Sequence, residues 1–257
     1  MHQFFLNEPL TDLDQTITLS RKEYQHAFVL RLREGEEFVL SDGYGQEHLC
    51  EVLSTDKNTI TARRLESREA QGELDCKLVL LQGLPKRDKL ELIIQKAVEL
   101  GAHQIMPVMM KRTNVKLDDK KADRKAERLQ EISKSAATQA KRGIIPEVTG
   151  VTAFREALAN VADADIKLIC YEDETSRGTL EALLPTLPQA KKIALLVGPE
   201  GGISEEEWQL AKDAGFQSVS LGKRILRTET AGFCLLSYLM LTLKTHSKKG
   251  SKRYGLR

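Results

Sequence analysis

The chain has no apolar run approaching the ~18 consecutive residues that a membrane-spanning helix needs, so insertion into a bilayer is not expected. Its opening stretch, MHQFFLNEPL, has no basic region followed by an apolar core and does not read as a secretory signal. Only four cysteines occur, Cys50, Cys76, Cys170 and Cys234, far apart and without CxxC spacing, and the five histidines His2, His26, His48, His103 and His246 are equally dispersed. A structural zinc or a disulfide framework is therefore not expected, no metal is implied, and a reduced, cytoplasmic interior fits best. No glycine-rich run is followed by Lys-Ser or Lys-Thr, and none matches GxGxxG, which removes the main support for a nucleotide-hydrolysing or nicotinamide-binding protein. No internal repeat is visible.

What is present is an ordinary globular balance, 257 residues with 41% hydrophobic and 30% charged, long enough for two domains. The net charge of +2 conceals an asymmetry. Residues 111–142 hold eleven Lys or Arg against five Asp or Glu, and residues 244–257 hold six against none, so these two stretches carry +12 and the remainder −10. Fields of this kind attract polyanions, although a solvated helix face followed by a basic flexible tail explains the same composition.

Up to about residue 70 the chain is β-rich. Short apolar runs at Glu37 to Leu40, Glu47 to Leu53 and Thr59 to Leu65 are separated by the turn signals Asp42-Gly43 and Asp56-Lys57-Asn58, after a short helix expected over Gln25 to Leu32. The polar stretch Glu66 to Gly72 marks the expected boundary, giving domains 1–72 and 73–245 and a tail 246–257. Beyond it, strands expected at Lys77 to Leu84, Gln104 to Met109, Ile144 to Val148, Ile166 to Tyr171, Ile193 to Val197 and Ser218 to Leu221 alternate with helices, the last from about Thr230 to Leu243. That alternation predicts a mainly parallel sheet covered on both faces, an α/β domain.

Two segments of that domain carry the chemistry. In LLVGPEGGISEEE, Leu195 to Glu207, a strand runs into Gly198-Pro199-Glu200-Gly201-Gly202, and Ser204 with Glu207 predicts a capping box that opens a helix. Ligands of open α/β sheets settle beyond strand carboxyl ends, where this loop lies; a tight strand-to-helix turn is the plainer reading. In LGKRILRTETA, Leu221 to Ala231, Leu221 and Gly222 end a strand, Ile225 and Leu226 form an apolar patch able to sandwich an adenine ring, and Arg227, Thr228, Glu229 and Thr230 crowd a helix start. Taken singly, Thr228 or Thr230 as an N-cap and Arg227 as half of a surface ion pair is the plainer reading.

Taken together, GPEGG and the extended RILRTETA run resemble the RsmE family of SPOUT methyltransferases, which methylate N3 of a uridine in 16S ribosomal RNA. The resemblance spans nearly the whole chain, through DKLELIIQKAVELG at Asp88 to Gly101, Lys111-Arg112-Thr113, and QAKRGIIPEV at Gln139 to Val148. It implies a C-terminal SPOUT domain with a trefoil knot, an N-terminal PUA-like β-barrel that binds RNA, S-adenosylmethionine as cofactor, 16S rRNA of the small ribosomal subunit as partner, and a homodimer. By motif matching, Tyr171, Leu196, Gly198, Glu200, Gly201, Leu221, Gly222, Ile225, Leu226, Arg227 and Thr228 are the expected cofactor residues. Arg227 and Glu229 are the expected catalytic pair, Arg227 stabilising charge and Glu229 accepting a proton or orienting the arginine; Glu200 is the alternative base, although a carboxylate in a glycine-rich turn more often holds the loop by accepting backbone hydrogen bonds. Arg112, Lys120, Lys121, Arg124, Lys125 and Arg142 are the expected RNA contacts. Two departures from the family pattern stand out: His2 and Gln3 where an arginine is frequent, and Ala140-Lys141 where Ser-Gly is frequent. Two alternatives stay open, a non-catalytic RNA-binding assembly factor and a SPOUT enzyme acting on ribose or tRNA.

Overall fold

A computed structural model describes residues 1–6, 10, 16–21, 24–86, 89–113, 122–171 and 180–243, and the chain divides into two compact units. The candidate contacts Lys120 and Lys121 and the basic tail 246–257 lie outside the described residues.

The first unit comprises Met1–Glu73 and, later in the chain, Ala137–Ile145. It contains β1 (His2–Phe5), β2 (Thr16–Ser20), α1 (Gln25–Val29), β3 (Glu37–Ser41), β4 (Gln46–Thr55) and β5 (Thr59–Glu69), joined in the sheet order β1-β3-β4-β5-β2. β1 runs parallel to β3, and the remaining pairings are antiparallel. Both turn signals act through an aspartate: Asp42 Oδ1 accepts from the amides of Tyr44 and Gln46 at 2.7 and 2.9 Å, and Asp56 Oδ1 from those of Asn58 and Thr59 at 2.7 and 2.8 Å. The core faces of these strands, with Phe38, Leu40, Ile60 and Ala62, close over Ala27 of α1.

The segment 137–145, expected in the second domain, belongs to this first unit. Arg142 Nη2 reaches Glu73 Oε2 at 2.7 Å, Nε reaches Oε1 at 2.9 Å, and the Gly143 amide donates to Oε1 at 2.9 Å. Arg142 is only 7% exposed and its Nε and Nη2 face a buried carboxylate, a placement that does not favour the expected RNA contact. The expected strand over Ile144 to Val148 also divides, Ile144 bridging to Tyr44 and only Glu147–Val148 forming a strand.

Just before it, the amide of Arg142 bonds Ala137 O at 2.9 Å and that of Lys141 bonds Thr138 O at 3.2 Å, the helix ending usually built on glycine. Lys141 takes the left-handed φ of 54° there. The departure Ala140-Lys141 thus puts a side chain where the backbone favours glycine.

The second unit, Leu74–Ala136 with Pro146–Thr245, carries the parallel sheet. Its elements are β6 (Lys77–Gly83), α2 (Lys89–Glu99), β7 (Ala102–Met109), α3 (Ala122–Gln139), whose last residues fall in the first unit, β8 (Glu147–Val148), β9 (Thr152–Ala153), α4 (Phe154–Asn160), β10 (Ile166–Cys170), β11 (Lys192–Val197), α5 (Glu205–Asp213), β12 (Gln217–Ser218) and α6 (Thr228–Thr242). The order is β12-β10-β11-β6-β7-β8, with β9 beside β7, and these pairings are parallel. Both faces are covered: Val79, Leu81, Ala194 and Leu196 pack with Phe154 and Trp208 of α4 and α5, whereas α2 and α6 pack on each other and on β7, β6 and β11. Leu78, Leu80, Ile193 and Leu195 are fully buried as well, the signature of central parallel strands. Among the described residues no helix is long and apolar enough to cross a membrane.

Candidate active site

β10, β11 and β6 are parallel neighbours, so their carboxyl ends open onto one side of the sheet, and the loop Gly198 to Gly202 leaves there. Gly202 turns it back at φ 74° through a bond from its amide to Pro199 O at 2.9 Å. The predicted capping box is present: Ser204 Oγ accepts from the Glu207 amide at 3.3 Å, and Glu207 Oε2 accepts from the Ser204 amide at 3.0 Å. Glu207 Oε1 also accepts from the Lys111 amide at 2.6 Å, fastening the loop after β7 to the same helix start. Arg112, next in that loop, donates Nη1 to Gly201 O at 3.3 Å.

The second wall is latched to the first by one hydroxyl. Thr228 Oγ1 donates to Gly198 O at 2.6 Å and accepts from Gln82 Nε2 at 2.8 Å. The N-cap of α6 is Arg227, so Thr228 is not the cap; its hydroxyl serves the neighbouring loop instead. Between the walls lies a cleft of about 730 Å³, within the ~300–1,000 Å³ typical of small-molecule sites. Val197, Ile203, Ile225, Leu226 and Ala231 line it with apolar surface, while Arg112, Glu200, Glu205 and Arg227 bring charge to it. A hollow of about 160 Å³ adjoins it, bordered by Leu221 and Gly222. An elongated molecule with an apolar ring system and charged ends, such as S-adenosylmethionine, fits this combination.

Most of the expected cofactor residues therefore converge. Tyr171 lines both hollows, stacked on Trp208 at 5.0 Å between ring centroids and donating its hydroxyl to Glu205 at 3.1 Å. The side chain of Leu196 does not line the cleft: strand alternation turns it into the core with Trp208, and Val197 is the side chain β11 gives to the cleft. Gly201 is not among the lining residues and lies against Arg112. Cys170 also lines the cleft, and burial pushes its thiol up to about 12, so the neutral thiol is the favoured form there.

The residue missing from the sequence reading is Lys89. Its ammonium lies 3.2 Å from Glu200 Oε1 and 3.2 Å from Glu229 Oε2, tying the glycine-rich loop to the first turn of α6. Burial works to raise Glu200, but its backbone hydrogen bonds and Lys89 outweigh that and hold the carboxyl below its ordinary value. A signal was available, since a lysine at the first residue of a helix opposes the helix dipole and calls for an anionic partner. Of the expected RNA contacts, Arg112 lines the cleft, and Arg124 and Lys125 are exposed on α3.

The RNA methyltransferase domain model matches residues 72–240, and the RNA methyltransferase PUA domain model matches residues 19–63. The chain is 36% identical over 243 residues to ribosomal RNA small subunit methyltransferase E of Bacillus subtilis, covering 92% of this chain and 95% of that protein. Against the crystal structure of ribosomal RNA small subunit methyltransferase E from Neisseria gonorrhoeae bound to S-adenosyl methionine, the TM-score is 0.78 at 35% identity, covering 93% of this chain and 96% of that one. A Legionella pneumophila protein solved in complex with bound cofactor SAM gives a TM-score of 0.80 at 30% identity, with the same coverage of 93% and 96%.

Proposed function

The chain belongs to the ribosomal RNA small subunit methyltransferase E family, an α/β methyltransferase domain joined to an N-terminal PUA-like domain, and from that membership we propose that it methylates N3 of a uridine in 16S rRNA. The observation that carries the reading is the 2.6 Å latch from Thr228 to Gly198, which makes the two motif segments opposite walls of one cleft.

Bound S-adenosylmethionine supplies an electrophilic methyl group on a sulfonium. The protein must hold the uracil N3 in line with that methyl and deal with the proton N3 carries. Val197, Ile225 and Leu226 give the cofactor's ring system an apolar seat. Arg227, at the exposed start of α6, stabilises negative charge as it spreads onto the uracil oxygens, and Glu229, one helical position from Thr228, accepts the proton. Arg112, Arg124 and Lys125 contact phosphates, so binding weakens steeply as salt rises. In this reading the active form is a cytoplasmic homodimer with a knotted C-terminal domain.

Mass spectrometry of nucleosides from a deletion strain tests the assignment. Loss of N3-methyluridine from 16S rRNA, restored by the intact gene, is the expected result. An unchanged N3-methyluridine level, with a missing ribose or tRNA methyl group instead, overturns it.

A further inference from the structure

Lys89 occupies a position that helix electrostatics disfavour, because the amino end of α2 already carries partial positive charge. Its two partners explain why it is tolerated there. Glu200 comes from the loop after β11 and Glu229 from the first turn of α6, and each lies 3.2 Å from the same Nζ. We propose that Lys89 is a positioning residue for methyl transfer, one ammonium that clamps Glu200 and Glu229 together and so fixes the direction of Glu229, the residue after the cleft-lining Thr228. The inference rests on the reading of Glu229 as proton acceptor.

The two carboxylates are not equally dependent on the clamp. Glu200 accepts from the Lys86 amide through both oxygens at 3.2 Å each, an anchor that survives removal of the Lys89 side chain. Among the described residues Glu229 has Lys89 as its cationic partner. Hydrogen bonding to Glu200, then to Glu229, raises the Lys89 pKa, so the clamp is charged throughout the neutral range. The other charged groups that line the cleft are Arg112, Glu205 and Arg227. Without the ammonium, the two carboxylates lose the cation they share, and the less anchored one, Glu229, is free to turn away from the position that Lys89 holds it in.

The test uses full-length protein, S-adenosylmethionine and purified small ribosomal subunits. Lys89→Met lowers kcat at neutral pH by roughly 10- to 100-fold, with a smaller change in KM for the cofactor. Lys89→Arg restores kcat, because it returns the cation that the two carboxylates share; Lys89→Gln replaces Lys89→Met if the latter does not fold. Unchanged kcat in a folded variant, or a loss that Lys89→Arg does not restore, overturns the clamp. Glu229→Gln separates the two ideas: wild-type methylation there overturns the acceptor role, while the double variant Lys89→Met/Glu229→Gln decides whether Lys89 acts through Glu229, a fully additive loss overturning the clamp.

Discussion

The two walls of the cleft are built to opposite standards of rigidity. The loop from Gly198 to Gly202 is held at nearly every residue: Gly198 by Thr228, Glu200 by Lys86 and Lys89, Gly201 by Arg112, and Gly202 by its own turn. The facing stretch from Leu221 to Arg227 is fixed mainly at its ends, with Val219 bonded to Ile169 on one side and Thr228 to Gly198 on the other. Between those points Ile225 is 87% exposed, and Lys223, Arg224 and Arg227 are exposed too. The wall that offers backbone groups is thus complete before a ligand arrives. The wall that offers side chains has apolar surface still to bury, which gives it a reason to close on a ligand.

The contrast is broken most severely by removing chemistry from the open wall. Arg227→Ala should lower methyl transfer by about 10²- to 10³-fold, the scale for a group stabilising transition-state charge, with little change in thermal stability because the side chain is exposed. Single-turnover methylation beside a thermal melt checks this. Wild-type turnover in the folded variant would remove Arg227 from the mechanism. The rigid wall should fail in the reverse sense. A Cβ at Gly83 would sit 2.6 Å from both Pro199 Cδ and Pro199 N, so Gly83→Ala must displace the loop backbone. Overpacking of this kind costs ~1–3 kcal/mol, and both the melting temperature and cofactor affinity should fall together. A Gly83→Ala protein that melts and binds S-adenosylmethionine like wild type would show that the loop is not rigidly packed.

The same contrast explains what could be read from the chain. Elements with local chemistry were legible: the aspartate turns at Asp42 and Asp56 and the Ser204–Glu207 box each depend on residues within four positions of one another. Elements decided by distant packing were not. Nothing local says that Arg142 will be swallowed by Glu73, 69 positions earlier, or that Lys141 will accept a left-handed backbone to bring it there. That the side chain of Leu196 faces the core and that of Val197 the cleft was hidden for another reason. Residues 193–197 are apolar without interruption and buried on both faces of the sheet, so the alternation that separates a cleft residue from a core residue leaves no polar mark. Lys89 was overlooked because its partners lie more than 100 residues away, at Glu200 and Glu229.

The smallest expected effect is the sharpest probe of the open wall. If Ile225 is exposed only until a ligand covers it, Ile225→Ser leaves the folding free energy of the unliganded protein within about 0.5 kcal/mol of wild type, as for other exposed positions. Partial burial of the side chain on ligand binding is worth about 1 kcal/mol, so the dissociation constant for S-adenosylmethionine should rise by about fivefold. Calorimetry adds a second sign of the same event: the heat-capacity change on binding should be less negative in Ile225→Ser, since less apolar surface leaves water. An affinity loss with an unchanged heat capacity would mean that Ile225 stays exposed and acts indirectly. No loss at all would mean that the open wall stays open, and that the rigid loop with Leu226 and Tyr171 suffices to hold the cofactor.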